Sequence, residues 1–188
     1  MCSASILYII NSIILEVNYT LNLDIDIKIG KLGIPKDYKE ACINELYKLG
    51  DNMNHQTNVK AIMTSYEIWN ETDLFNPLLD RILYITNTLF PIEDNDWEYD
   101  LVNCWGAIYQ KENYTVPHKH LPYYLSFVYY LQSTGNTPLI FNEGNKLEVT
   151  PKDDMLIVFP SYLVHSVPKH EHNIDRICLA GNLTLKYK

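Results

Sequence analysis

The sequence has little positive charge. Lys and Arg number 15 among 188 residues and do not cluster, whereas Asp and Glu number 23, for a net charge of −8. Binding to nucleic acid through phosphates needs a basic field or stripe, so no nucleic-acid partner is expected. Cysteine is scarce: Cys2, Cys42, Cys104 and Cys178 show no CxxC spacing, which points to reduced thiols in a cytoplasmic protein and away from a disulfide framework. No apolar run reaches the ~20 residues of a membrane span. The longest, Ile6 to Val17, is interrupted by Asn11, Ser12 and Glu16, and no Lys or Arg precedes it. A secretory signal starts on basic residues. Residues 1–16 therefore read as a leader or an edge strand, with no membrane association. Internal repeats and low-complexity segments are also lacking.

What is present is a hydrophobic content of 47%, enough for one domain over residues 1–188 with a sizeable core. Residues 17–99 supply an N-terminal strand and supporting helices. Val17 to Ile29 alternates Leu21, Leu23, Ile25, Ile27 and Ile29 with polar residues, which predicts a half-buried strand ended by Gly30 and Gly33. Tyr38, Ala41, Cys42, Leu46 and Leu49 recur at helical spacing between Pro35 and Gly50, predicting a first helix. Asp51 to Ser65 reads as loop. Leu78, Leu79, Ile82, Leu83 and Ile85 predict a second helix over 77–89, stopped by Pro91.

From residue 100 the texture changes to short strands punctuated by turns: 102–110, 118–120, 123–131, 139–141, 146–149, 155–159, 164–167 and 176–185. Strands of this length and spacing predict a β-sandwich or barrel with helices packed outside, an α+β protein that is mostly β.

The chemistry concentrates in this half. In a strand, residues two apart share a face, so His118 and His120 stand together. With His165 they make a set of imidazoles suited to a divalent, iron-type metal that keeps open positions. Arg176 lies on the last strand, where Cys178, Ala180, Asn182 and Thr184 share its face. These small neighbours leave room for a ligand over the guanidinium, which suits bidentate capture of a carboxylate. A structural pairing of Arg176 with Asp153 or Asp175 is the alternative. Tyr109 and Tyr130 are candidates for hydroxyl contacts to the same carboxylate. Trp69, Trp97 and Trp105 belong to the core or the pocket wall. A second pair, His170 and His172, is surrounded by Lys169, Glu171 and Asn173 and reads as a solvated loop.

Taken together, Trp105, Pro117-His118-Lys119-His120, Leu125-Ser126-Phe127-Val128-Tyr129-Tyr130-Leu131, Phe159-Pro160-Ser161, His165-Ser166-Val167 and Arg176-Ile177 resemble the 2-oxoglutarate/Fe(II) oxygenases of bacteria and their phages, and the core of prolyl hydroxylases. The resemblance covers mainly residues 100–188, and Thr57 to Thr64 is similar to an upstream segment of the phage members. It implies a double-stranded β-helix (a cupin-like jelly roll), Fe(II), 2-oxoglutarate as co-substrate, and hydroxylation of a protein side chain or a small molecule. It further implies that His118 and His165 are ligands, that Arg176 holds the distal carboxylate of 2-oxoglutarate, and that Tyr130 assists it. Asn182 matches an Asn late in the last strand of the bacterial group. Three positions depart from the pattern: His120 stands where most of the superfamily has Asp or Glu, and Phe127 and Asp154 stand where Gly is expected. If His120 does not ligate, water or a nearby carboxylate such as Asp153 or Glu143 would complete the site. The location implied is cytoplasmic, the host cytoplasm for a phage protein, and the oligomeric state, monomer or homodimer, is open. Two other readings remain: a cupin-like metal- or ligand-binding protein without redox chemistry, and a three-histidine dioxygenase that does not use 2-oxoglutarate.

Overall fold

The computed structural model describes residues 3–5, 18–20, 26–53, 56–133, 135–142 and 146–188. Ser3–Ser5 (β1) pairs with Asn18–Thr20 (β2); the rest of residues 1–16, and residues 21–25 of the predicted first strand, lie outside the described residues. Lys28–Lys31 (β3) follows and contains Gly30, so this glycine does not end the strand. Because β3 pairs only with a strand on one side, it is an edge, and Ile29 is 48% exposed.

Helix α1 spans Lys36–Leu49. Pro35 precedes it, Asp37 sits in its first turn and Lys48 in its last, as the helix dipole favours. Gly50 ends it at φ +64°, donating its N–H to Leu46 O. The segment expected to be loop contains two short strands, Val59–Lys60 (β4) and Ile62–Met63 (β5). These were invisible to periodicity because two residues carry no period. Helix α2, Asn76–Leu89, has Pro77 in its first turn and buries Leu78, Leu79, Ile82 and Thr86.

The remaining strands are Trp97–Tyr109 (β6), Tyr114–His118 (β7), Leu125–Gln132 (β8), Leu139–Phe141 (β9), Leu147–Val149 (β10), Met155–Pro160 (β11), His165–Val167 (β12) and Arg176–Tyr187 (β13). They form two antiparallel sheets. One runs β3-β11-β8-β13-β6-β5, the other β10-β9-β12-β7-β4. The larger sheet has a core on each face. On one side Ile177, Leu179 and Leu183 of β13 pack with Cys42 and Leu46 of α1 and with Leu78 and Ile82 of α2. On the other, Cys178 and Ala180 face the smaller sheet through Phe141, Leu139 and Val167. The site lies in this second layer, between the sheets. No helix among the described residues is long and apolar enough to cross a membrane.

The two positions where glycine was expected are filled differently. Asp154 adopts φ +66°, a left-handed conformation that Asp tolerates better than most residues. Its carboxylate accepts from Tyr129 Oη and from the backbone N–H of Gly33 and Ile34, binding the β8–β11 layer to the approach to α1. Phe127 lies opposite Gly181 on the neighbouring strand. A Cβ on residue 181 would stand 2.6 Å from the Phe127 ring and 2.5 Å from Asn103 O, so Phe127 fills the space beside a position that has no room for a side chain.

Candidate metal centre

The three histidines meet at one end of the space between the sheets, where the smaller sheet carries two of them. His118 is the last residue of β7 and His165 the first of β12, and the antiparallel register sets them directly opposite each other. His120 is not on a strand. It sits in the turn after β7, pinned by its backbone N–H to Ser161 O at 2.8 Å. The ladder of β7 ends at His118, and His120 lies just past it with its imidazole beside that of His118. Their Nε2 atoms are 2.8 Å apart, and the ring centroids of the three lie 4.4 to 4.9 Å from one another.

The partners of the other ring nitrogens decide what the Nε2 atoms can do. His118 Nδ1 lies 2.9 Å from Val116 O and His165 Nδ1 lies 3.0 Å from Leu163 O. A backbone carbonyl only accepts, so each Nδ1 carries the hydrogen and each Nε2 presents a lone pair. His120 Nδ1 lies 2.6 Å from Asn182 Oδ1, which also accepts from Ser126 Oγ at 2.7 Å. Its Nε2 is set the same way. Three lone pairs converging within 4.8 Å repel one another unless a cation lies among them. Protons are a poor substitute. Burial lowers the His118 pKa, burial and the neighbouring His118 bring His120 down to about 4, and burial with both neighbours brings His165 down to about 3. Neutral imidazoles with an ordered Nδ1–H partner are the form that binds divalent first-row metals. Among the described residues no carboxylate joins the cluster. Asp153 accepts the Ser133 N–H, and Glu143 lies outside the described residues.

Arg176 closes the other end. It is 1% exposed, begins β13, and faces Tyr109 across the register with β6. The guanidinium lies over two rings, 4.6 Å from the Tyr109 centroid and 4.9 Å from that of Tyr130, and Nη2 donates to the Tyr130 hydroxyl at 3.0 Å. Nε and Nη1 are buried and have no hydrogen-bond partner among the described residues. Neither acid considered as a structural partner supplies one: Asp153 is engaged with Ser133, and Asp175 accepts from Tyr47 Oη at 2.6 Å. A buried cation with two unmet donors fits an anion with two acceptor oxygens. Burial raises the pKa of both phenols, so they stay protonated. The Tyr130 oxygen accepts from Arg176 and keeps its own hydrogen to donate. The Tyr109 hydroxyl is paired with Thr115 Oγ1 at 2.7 Å, so Tyr109 offers Arg176 its ring face. Asn182 lies at the histidine end, away from Arg176.

Between the ends is a narrow cavity walled by Val128, Leu139, Val167, Cys178 and Ala180. It shares His118, His120, Trp105 and Val59 with an outer cleft lined by Thr57, Tyr66, Glu67, Asn103, Lys119 and Tyr123. Among the tryptophans, Trp105 is buried beside His120, Trp69 is half-buried against the helical core, and Trp97 is at the surface against Tyr187. Thr115, Ser126, Ser161 and Asn103 were not anticipated. Only Ser126 carried a signal, a lone hydroxyl between Tyr124 and Val128 on one face of an apolar strand.

The second histidine pair corrects an expectation. His170 is fully buried, with Nδ1 against Thr137 Oγ1 and Nε2 against Ile174 O, and its backbone bridges to Asn113 and Glu112. The charged neighbours in the sequence point outward while His170 fastens the loop before β13 to the barrel.

No protein-family profile matches the sequence, and no curated protein matches it. Solved structures do. A prolyl hydroxylase from Trichoplax adhaerens, in complex with a hypoxia inducible factor peptide fragment, superposes at a TM-score of 0.67 with 13% identity over 84% of this chain and 83% of its own. The viral collagen prolyl hydroxylase of Paramecium Bursaria Chlorella virus-1, in its 2OG complex, gives 0.62 and 13% over 84% and 94%. HygX from Streptomyces hygroscopicus, with nickel and 2-oxoglutarate bound, gives 0.63 and 12% over 84% and 82%. The chain therefore has the double-stranded β-helix fold of the prolyl hydroxylases and related 2-oxoglutarate/Fe(II) oxygenases.

Proposed function

We propose that this protein is a non-haem Fe(II)- and 2-oxoglutarate-dependent dioxygenase that hydroxylates a protein side chain, in the manner of prolyl hydroxylases, or a small molecule. The observation that carries the reading is the pairing, across one mostly apolar cavity, of three Nε2 lone pairs with a buried guanidinium that has two unmet donors. His118, His120 and His165 would hold the metal. Arg176 and the Tyr130 hydroxyl would hold the distal carboxylate of the oxoacid. Bound together, the metal and oxoacid supply oxygen activation, with the oxoacid decarboxylated to succinate as a substrate C–H bond is hydroxylated.

The chain's own residues do the rest. Burial keeps the imidazoles neutral, and the fixed Nδ1–H partners keep them aimed without reorganisation. The apolar walls keep water from the reacting centre, and the outer cleft admits the substrate on the side of His118 and His120. An imidazole in place of a carboxylate at residue 120 leaves the loaded site one unit more positive, which favours the dianionic oxoacid. It also weakens discrimination against nickel, copper and zinc.

The test is anaerobic addition of 2-oxoglutarate to Fe(II)-loaded protein, followed by oxygen. A charge-transfer band on addition and succinate formed only with oxygen are expected. Fe(II) uptake with no change on addition of 2-oxoglutarate, and no succinate, would instead favour the three-histidine dioxygenase that uses another carboxylate. His120→Ala is expected to weaken Fe(II) binding as much as His165→Ala does.

A further inference from the structure

Asn182 touches the histidine end of the cavity through His120, and a continuous hydrogen-bonded chain runs from it to the outer cleft. Its Oδ1 accepts from His120 Nδ1, its Nδ2 donates to Asn103 Oδ1 at 2.8 Å, and Asn103 Nδ2 donates to the Tyr123 hydroxyl at 3.3 Å. Asn103 and Tyr123 line the outer cleft. We infer that Asn182, held by Asn103, is the positioning residue that makes His120 a metal ligand, and that the Tyr123–Asn103–Asn182 chain ties this ligand to the wall of the outer cleft. The inference rests on the reading of the histidine cluster as a metal centre.

The three ligands are not secured alike. His118 and His165 lean on backbone carbonyls, which cannot turn over. His120 leans on a side-chain amide, which can, with the Ser126 hydroxyl at 3.1 Å as a second, longer partner of Nδ1. Were the Asn182 amide reversed, its NH₂ would face Nδ1, the imidazole hydrogen would move to Nε2, and the ligand atom would have no lone pair to give. Asn103 opposes this reversal: its Oδ1 accepts only, so the Asn182 NH₂ must face it. Asn103 is placed for this by the ladder. It lies directly opposite Asn182 in the β6–β13 register, and that register shifts immediately afterwards, between Asn182 and Leu183. A bulge of this kind re-aims the residues beside it. Ser126 completes the cradle. Its Oγ donates to Asn182 Oδ1 and lies 2.7 Å from Ser161 Oγ, and Ser161 O holds the His120 backbone. The cradle is thus built around one side chain and its one amide partner.

The experiment is a Co(II) titration of the whole chain, read by affinity and by the ligand-field spectrum, on wild type, Asn182→Leu, Asn182→Asp and Asn103→Ala. Loss of an outer partner of a ligating histidine typically weakens metal binding about 10–100-fold, and that is expected for Asn182→Leu, with a spectrum of reduced coordination by nitrogen. Asn182→Asp keeps an oxygen for Nδ1–H and is expected to restore affinity to within roughly threefold of wild type, which a merely space-filling role would not do. Asn103→Ala, at a half-buried position, frees the amide to turn and is expected to weaken binding about three- to tenfold. It decides the matter if Asn182→Leu does not fold. Wild-type affinity in Asn103→Ala and in folded Asn182→Leu would overturn the inference while leaving the metal centre intact. Absence of Co(II) uptake by wild type would sink both.

Discussion

The two faces of β13 do different work with the same backbone. On one face Ile177, Leu179 and Leu183 are fully buried among the helices. On the other, Arg176, Cys178, Ala180 and Asn182 are also nearly inaccessible, but the first three line a cavity and Arg176 keeps donors without a partner among the described residues. The first face is satisfied by hydrocarbon contact alone. The second holds a buried cation that the described residues only partly satisfy. Burial does not distinguish them; the unmet donors do.

That difference can be broken from the structural side first. Leu179→Ala is expected to cost about 2–5 kcal/mol of stability through lost burial and a residual cavity. Denaturant unfolding would show it, and the fraction that stays folded should bind 2-oxoglutarate with wild-type affinity. A lost co-substrate affinity with unchanged stability would erase the division between faces. Gly181→Ala sharpens it, because the added methyl meets backbone and the Phe127 ring. A cost of about 1–3 kcal/mol is expected from overpacking, and Phe127→Leu in the same chain should recover part of it.

The site face has its own signature in pH. The folded pKa of each histidine in the cluster lies below its ordinary value of 6.5, so the unfolded chain takes up protons first as pH falls. Stability is therefore complete above about pH 6.5 and is lost progressively toward the folded values near 4 and 3. For His165 alone, which is 4% exposed, the loss at pH 5 is about 2 kcal/mol. A thermal melt series on metal-free protein should fall over this window, and His165→Phe should flatten it. A flat series for wild type would mean the imidazoles are not held neutral by burial.

The alternation along β13 was legible in the sequence, since a period of two sorts Arg176 from Ile177 whatever lies around them. Helices α1 and α2 were equally legible from apolar spacing between proline and glycine. Ala41, placed in the apolar stripe of α1, is in fact exposed. What the sequence could not show was set by register and by turns. The meeting of His118 with His165 depends on which residues pair across β7 and β12. His120 lies just past the end of β7, held by Ser161 O, so the strand expected to carry it ends at His118. His170 looked solvated because its neighbours are charged, yet only its own partners, Thr137 and Ile174, determine its burial. Asn182 was noted without a role, because its partner Asn103 is 79 residues away.

The central claim is that the site face of β13 is completed by a dicarboxylate. Anaerobic titration of 2-oxoglutarate into metal-loaded wild type and Arg176→Met, with thermal melts of both, tests it most directly. The substitution removes a buried half-paired cation, so the melting temperature should hold or rise. Co-substrate affinity should fall by about 2–5 kcal/mol, roughly 30-fold or more, with metal affinity unchanged. Equal 2-oxoglutarate affinity in the two proteins would contradict the account.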